Sequence, residues 1–159
     1  MSSKKLSKLR TKIAKWTKYR SADKRRAEQV AAICTRKKDG KRQVLLVTSR
    51  ETHRWVIPKG WPMIGLSDGE AAMQEAWEEA GVAEAELVKK PVGKFGYRKI
   101  IDKKPGVPVR VTVYRVKVRE TAKKFPERHQ RKRKWVSPKR AASMVREPGL
   151  KKMLISLHK

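Results

Sequence analysis

Three glutamates, Glu75, Glu78 and Glu79, have the types and spacing that could do chemistry in this sequence. On a helix, residues three and four apart share one side, so the three carboxylates converge within reach of one ion cluster. Like charges at that spacing repel by roughly 0.2–0.5 kcal/mol per pair, and a divalent cation relieves the repulsion. Ligation by oxygen alone selects hard cations, Mg²⁺ or Mn²⁺, over zinc. Mg²⁺ held by a few carboxylates usually shares its remaining positions with substrate phosphates, which points to a phosphate ester or anhydride. A solvated helix face satisfies the same spacing, so the triad alone leaves both readings open.

The rest of the composition sharpens the contrast. The chain has 159 residues, enough for one domain, with 43 Lys and Arg against 15 Asp and Glu and a formal net charge of +28. Such a field draws in anions, whether nucleic-acid backbone, acidic membrane surface or small polyphosphate. Seven of the 15 acids, Asp68, Glu70, Glu75, Glu78, Glu79, Glu84 and Glu86, fall between positions 68 and 86. An acidic island in a basic chain invites a cation. Cys34 is the only cysteine, which excludes a disulfide framework and a cysteine-rich zinc site. Its apolar neighbours Val30 to Ile33 mark it as a core residue. No apolar run reaches the roughly 18 residues of a membrane span and no secretion signal opens the chain, so a cytoplasmic location is expected.

The elements that must position the glutamates follow from local patterns. Residues 1–27 read as a basic extension whose Leu6, Leu9, Ile13 and Trp16 lie on one face of a helix. The domain proper is expected over 28–159. Val30 to Thr35 and Gln43 to Thr48 read as a hairpin turning at Asp39-Gly40, and Trp55-Val56-Ile57 as a short strand before a Gly- and Pro-rich loop from Lys59 to Gly65. Ser67 and Glu70 form a capping box, and good helix formers run from Glu70 to Ala80 until Gly81 stops the helix. Strands are expected over roughly Val92 to Ile101 and Val107 to Arg119, separated by a Pro105-Gly106 turn. The apolar face of the second switches after Val113, which predicts a bulge near Tyr114. A last strand, Lys132 to Val136, precedes a helix capped by Ser137 and a terminal helix over 148–157.

Gly60, Glu75, Ala76, Glu78, Glu79, Gly81 and Val82 stand in the register of the Nudix box, a glycine, five residues, a glutamate, seven residues, then Arg-Glu-apolar-x-Glu-Glu-x-Gly-apolar. The sequence thus resembles the Nudix hydrolase superfamily. Arg54-Trp55-Val56-Ile57-Pro58-Lys59-Gly60 and the stretch Arg133 to Ala142 are similar to its diphosphoinositol polyphosphate phosphohydrolase and dinucleoside polyphosphate hydrolase branch. Two positions depart: Leu66 stands for the first glutamate and Gln74 for the arginine that orients the glutamates by salt bridging.

The resemblance implies an α/β/α sandwich with a mixed sheet between helices, and a Mg²⁺- or Mn²⁺-dependent enzyme that hydrolyses a phosphoanhydride linkage. Glu75, Glu78 and Glu79 would hold the metal and serve catalysis, with the metal polarising the diphosphate and activating a water. One of the glutamates or a loop carboxylate would take the proton. Arg50, Arg54, Lys59 and Gly60 would contact substrate phosphate, and Gln74 and Glu127 are accessory candidates. The basic cluster Arg128, His129, Arg131 to Lys134, with Arg98, Lys99, Lys103 and Lys104, would widen the site for a highly charged ligand or touch RNA. His53 and His129 lack metal-ligand spacing and read as surface residues. The substrate expected is a small polyphosphate such as a dinucleoside polyphosphate or a diphosphoinositol polyphosphate. The 5′ end of RNA, or a nucleic-acid-binding role with a vestigial box, fits the same charge. Oligomeric state is not legible.

Overall fold

A computed structural model describes residues 27–99 and 106–157. The expected basic helix, Lys103, Lys104 and the Pro105 turn position lie outside these residues.

Among the described residues eight strands form one sheet: β1 (Ala27–Lys38), β2 (Lys41–Thr48), β3 (Trp55–Val56), β4 (Lys59–Gly60), β5 (Val82–Leu87), β6 (Gly93–Arg98), β7 (Pro108–Thr121) and β8 (Arg133–Val136). Among the described residues three helices accompany them: α1 (Asp68–Ala80), α2 (Pro138–Met144) and α3 (Pro148–Ser156). The sheet runs β3-β2-β1-β7-β5, with β4 on β1, β6 on β7 and β8 on β2. β1 and β7 pair in parallel and the other pairs are antiparallel, so the sheet is mixed, as expected.

Alternation along β1 feeds two cores. Ala31 and Ile33 join Val44, Leu46 and Val111 under α2 and α3, whose Ala141, Leu150 and Leu154 complete that layer. Val30, Ala32 and Cys34 join Leu45, Val47 and Val116 under α1, which contributes Ala71, Ala72, Ala76 and Ala80. This is the helix–sheet–helix sandwich. Both faces of the sheet are covered, so β1 and β2 read as continuous apolar runs rather than as an alternation of apolar and polar residues. Among the described residues, no helix is long and apolar enough to cross a membrane.

The expected bulge near Tyr114 is absent. β1 and β7 keep one register from Ala27↔Val109 to Thr35↔Lys117, passing Ala32↔Tyr114 without a shift. Val109, Val111 and Val113 face α2 and α3, whereas Tyr114, Val116 and Val118 face α1. The change of apolar face records where each helix layer covers the strand. The register does shift at the end of β7, against Val82–Ala85 of β5.

Two further expectations are corrected. β5 is a strand that the local patterns do not predict, and Lys59-Gly60, expected in a loop, pairs with Ala31 and Val30. Pro58 O also accepts from Ala32 N at 3.0 Å, so this segment takes over the edge of β1 where β2 leaves it for β3 and β8.

The helix that carries the glutamates is bounded as its sequence dictates. Ser67 Oγ accepts from Glu70 N at 3.2 Å while Ser67 N donates to Glu70 Oε1 at 3.0 Å. At the other end Gly81 adopts φ 71°, a left-handed conformation in which a side chain is strained.

A carboxylate cleft at the end of the sheet

Burial is the first property that separates the three box glutamates from a solvated helix face. Glu75, Glu78 and Glu79 are 0%, 2% and 4% exposed. Carboxylates are rarely buried this deeply without partners that repay desolvation.

β4 seats them. A Cβ on Gly60 would overlap the carboxylate of Glu75, so only glycine lets the β4 backbone approach that side chain. The residue before it, Lys59, donates its backbone N–H to Glu79 Oε2 at 3.0 Å. Gly60, expected to contact phosphate, lines the cleft, and its position also makes room for Glu75.

Glu78 and Glu79 open onto a cleft of about 690 Å³ that Glu75 does not line. Among the described residues, no group of three acidic, His or Cys side chains stands in a metal-coordinating arrangement. The donor set nevertheless fits a hard divalent cation: the carboxylates are close in sequence, enclosed and all-oxygen.

The phosphate-contact candidates divide. Arg50, Arg54 and Lys59 all line the cleft. Arg50 is exposed and reaches Gln130 Oε1 at 3.4 Å and Glu127 at 3.7 Å. Arg54 is committed to Glu147, the residue before α3, at 2.7 Å. Burial pushes the Glu147 carboxyl up, but the Arg54 bond and charge outweigh this and hold it below the usual carboxylate range. Burial lowers the Lys59 ammonium to about 8, against the opposing pull of Glu79, and the group lies 5.3 Å from the centre of the Tyr97 ring. Tyr97 in turn donates to Gln29 Oε1 at 2.6 Å.

Glu127, which the sequence allows as a surface residue or an accessory carboxylate, is buried and lines the cleft. Its loop is fastened to the end of α1, with Glu127 N donating to Glu78 O at 2.9 Å. Gln74 is half-buried and does not line the cleft.

The expected basic cluster separates into different roles. Arg98 and Lys99 line the cleft, and Lys99 lies 5.1 Å from the Trp61 ring centre. Arg133 donates to Ala80 O at 2.8 Å and stacks over Phe125. Arg131 lines the cleft as well, and its guanidinium is paired with Glu79 and Glu127. His53 and His129 are exposed, as read from sequence. Cys34 is buried, which pushes its thiol up to about 12 and leaves it a core side chain. Sequence reasoning misses Glu147, Gln29, Tyr97 and Trp61. None stands at a spacing that distinguishes it.

A family model of the NUDIX domain matches residues 25–157. The chain belongs to the Nudix family. Among curated Nudix relatives, Nudix hydrolase 18, mitochondrial, of Arabidopsis thaliana is 30% identical over 112 residues, covering 70% of this chain and 61% of that protein. Nudix hydrolase 12, mitochondrial, of the same plant is 34% identical over 122 residues, covering 72% and 57%. The chain thus spans about three-fifths of the length of these Nudix proteins. A Caenorhabditis elegans Ap4A hydrolase in a binary complex superposes with TM-score 0.63 at 21% identity, covering 82% of this chain and 93% of that one. The MutT protein of Methanosarcina mazei Go1 gives 0.60 at 20% identity, covering 86% and 95%. These two show the shared Nudix fold.

Proposed function

We propose that the chain is a Mg²⁺- or Mn²⁺-dependent hydrolase of a phosphoanhydride linkage in a small, highly anionic substrate. A dinucleoside polyphosphate or a diphosphoinositol polyphosphate has the required chemistry. The observation that carries this reading is one cleft lined by carboxylates, Glu78, Glu79 and Glu127, and by cations, Arg50, Arg54, Lys59, Arg98 and Lys99. Such a cleft offers carboxylates to a cation and cations to phosphates at the same time.

Glu75, Glu78 and Glu79 would hold the divalent ion, which supplies Lewis acidity at the diphosphate when bound. Lys59 and Arg50 bind the non-bridging phosphate oxygens and offset the charge that develops as the linkage breaks. Arg54, tied to Glu147, presents its guanidinium from a fixed position. One of the lining carboxylates, Glu78 or Glu127, takes the proton from the attacking water. The basic extension, residues 1–27, adds to a field that speeds the arrival of polyanions. The relatives' name "hydrolase" and the Ap4A hydrolase likeness support the class of reaction.

The test is Mg²⁺-dependent turnover of a panel of dinucleoside polyphosphates, diphosphoinositol polyphosphates and 5′-triphosphorylated RNA. At least one small polyphosphate is expected to turn over, with Glu78→Gln slower by about 10²- to 10³-fold. A panel with no turnover at all overturns the proposal, and turnover confined to RNA replaces its substrate.

A further inference from the structure

Glu79 is gripped by a cation from outside its own helix. The Arg131 side chain is 6% exposed, and its Nη2 donates to Glu79 Oε1 at 2.9 Å and to Glu127 Oε1 at 3.0 Å. Its Nε donates to the same Glu127 oxygen at 3.3 Å, and Nη1 donates to Thr48 O of β2 at 3.0 Å. One planar guanidinium therefore ties together the helix that bears the box, the loop that bears Glu127 and the sheet.

Gln74 does no comparable work. It occupies the box position where the family has its arginine, yet its Nε2 is buried and meets no hydrogen-bond acceptor among the described residues. An amide at this position could keep a hydrogen bond to the glutamates, and this one does not.

We infer that Arg131 is the positioning residue of the carboxylate site, setting Glu79 and Glu127 from the connection between β7 and β8 in place of the helix position occupied by Gln74. The assignment rests on the metal-site reading above. Its physical basis is the rigid fork of the guanidinium. The carbonyl of Thr48 fixes one nitrogen, so the direction of the others is fixed too, and two carboxylates that repel each other are drawn to a shared donor. A lysine would keep the charge but could not span the three acceptors. Partners of this kind, one shell out from a metal, typically govern affinity by roughly 10–100-fold.

The test is Mn²⁺ binding to the full chain, read from the electron paramagnetic resonance of free Mn²⁺, for wild type, Arg131→Gln and Arg131→Lys, with thermal melts as a folding check. The Mn²⁺ Kd is expected to rise by about 10–100-fold in Arg131→Gln and by less in Arg131→Lys, with kcat falling while KM stays near wild type. Folded variants with wild-type Mn²⁺ affinity overturn the inference. Should Arg131→Gln fail to fold, Arg131→Lys decides by the same criterion. A wild type that binds no Mn²⁺ overturns the metal-site reading itself, and so separates that failure from a wrong role for Arg131.

Discussion

The two helix layers are built on opposite terms. Beneath α2 and α3 the sheet meets Ala141, Val145, Leu150 and Leu154, an apolar layer. Beneath α1 it meets four alanines, and the same helix buries Glu75, Glu78 and Glu79. Small residues bring α1 close to the strands, which places its carboxylates against the β4 backbone. The first layer stabilises by removing apolar area from water. The second gives up part of that gain to hold charge in a fixed place. The buried box carboxylates are therefore concentrated on one face, and the cleft they open onto is completed by Ile57, Trp61 and Tyr97 of the other.

Substitutions matched across the two layers test that division. Leu154→Ala removes a fully buried side chain from the apolar layer and is expected to cost about 2–5 kcal/mol in chemical denaturation, with turnover per folded molecule unchanged. A large fall in kcat for the folded variant would mean that the layers are not separable. Gly60→Ala is the counterpart on the other face. The added methyl must displace the Glu75 carboxylate, so kcat should fall by roughly 10²-fold while stability drops by only about 1–3 kcal/mol. Wild-type turnover in Gly60→Ala would show that Glu75 need not sit where it does.

The smallest effect concerns Lys59, the residue before Gly60 on β4, whose ammonium lies beside the Tyr97 ring. Its ammonium, lowered to about 8 by burial, is charged below that pH and neutral above it. An anionic substrate thus loses a cationic contact as pH rises through about 8. KM is expected to climb there, by up to roughly 10-fold, and to stay flat in Lys59→Arg, whose guanidinium remains charged. An identical climb in both proteins would assign the titration elsewhere.

Local signals make α1 legible in the amino-acid sequence: Ser67 and Glu70 cap one end and Gly81 the other, and each acts through bonds within a few residues. The spacing of Glu75, Glu78 and Glu79 is legible for the same reason. What escapes depends on neighbours distant in sequence. β5, with Ala83-Glu84-Ala85-Glu86, is composed of helix-favouring residues and becomes a strand because β7 offers it an edge. Lys59-Gly60 becomes β4 because β2 vacates its place on β1. Arg131 stands in a run of seven residues, Arg128 to Lys134, that contains five other basic or imidazole side chains, and only the fold shows which one is enclosed. The face change in β7 is visible in its valines, but its cause lies in the arrangement of helices on the two sides of the sheet.

The end of α1 has a consequence for how the molecule opens. A helix normally surrenders its last carbonyls to water. Here Glu78 O receives Glu127 N, Ala80 O receives Arg133, and Gly81 O receives Ala122 N at 2.7 Å. The connection between β7 and β8 is therefore stitched to the helix along its final turn. Lifting that loop frays the helix at the same moment, so the two exchange their amide protons as a single cooperative unit.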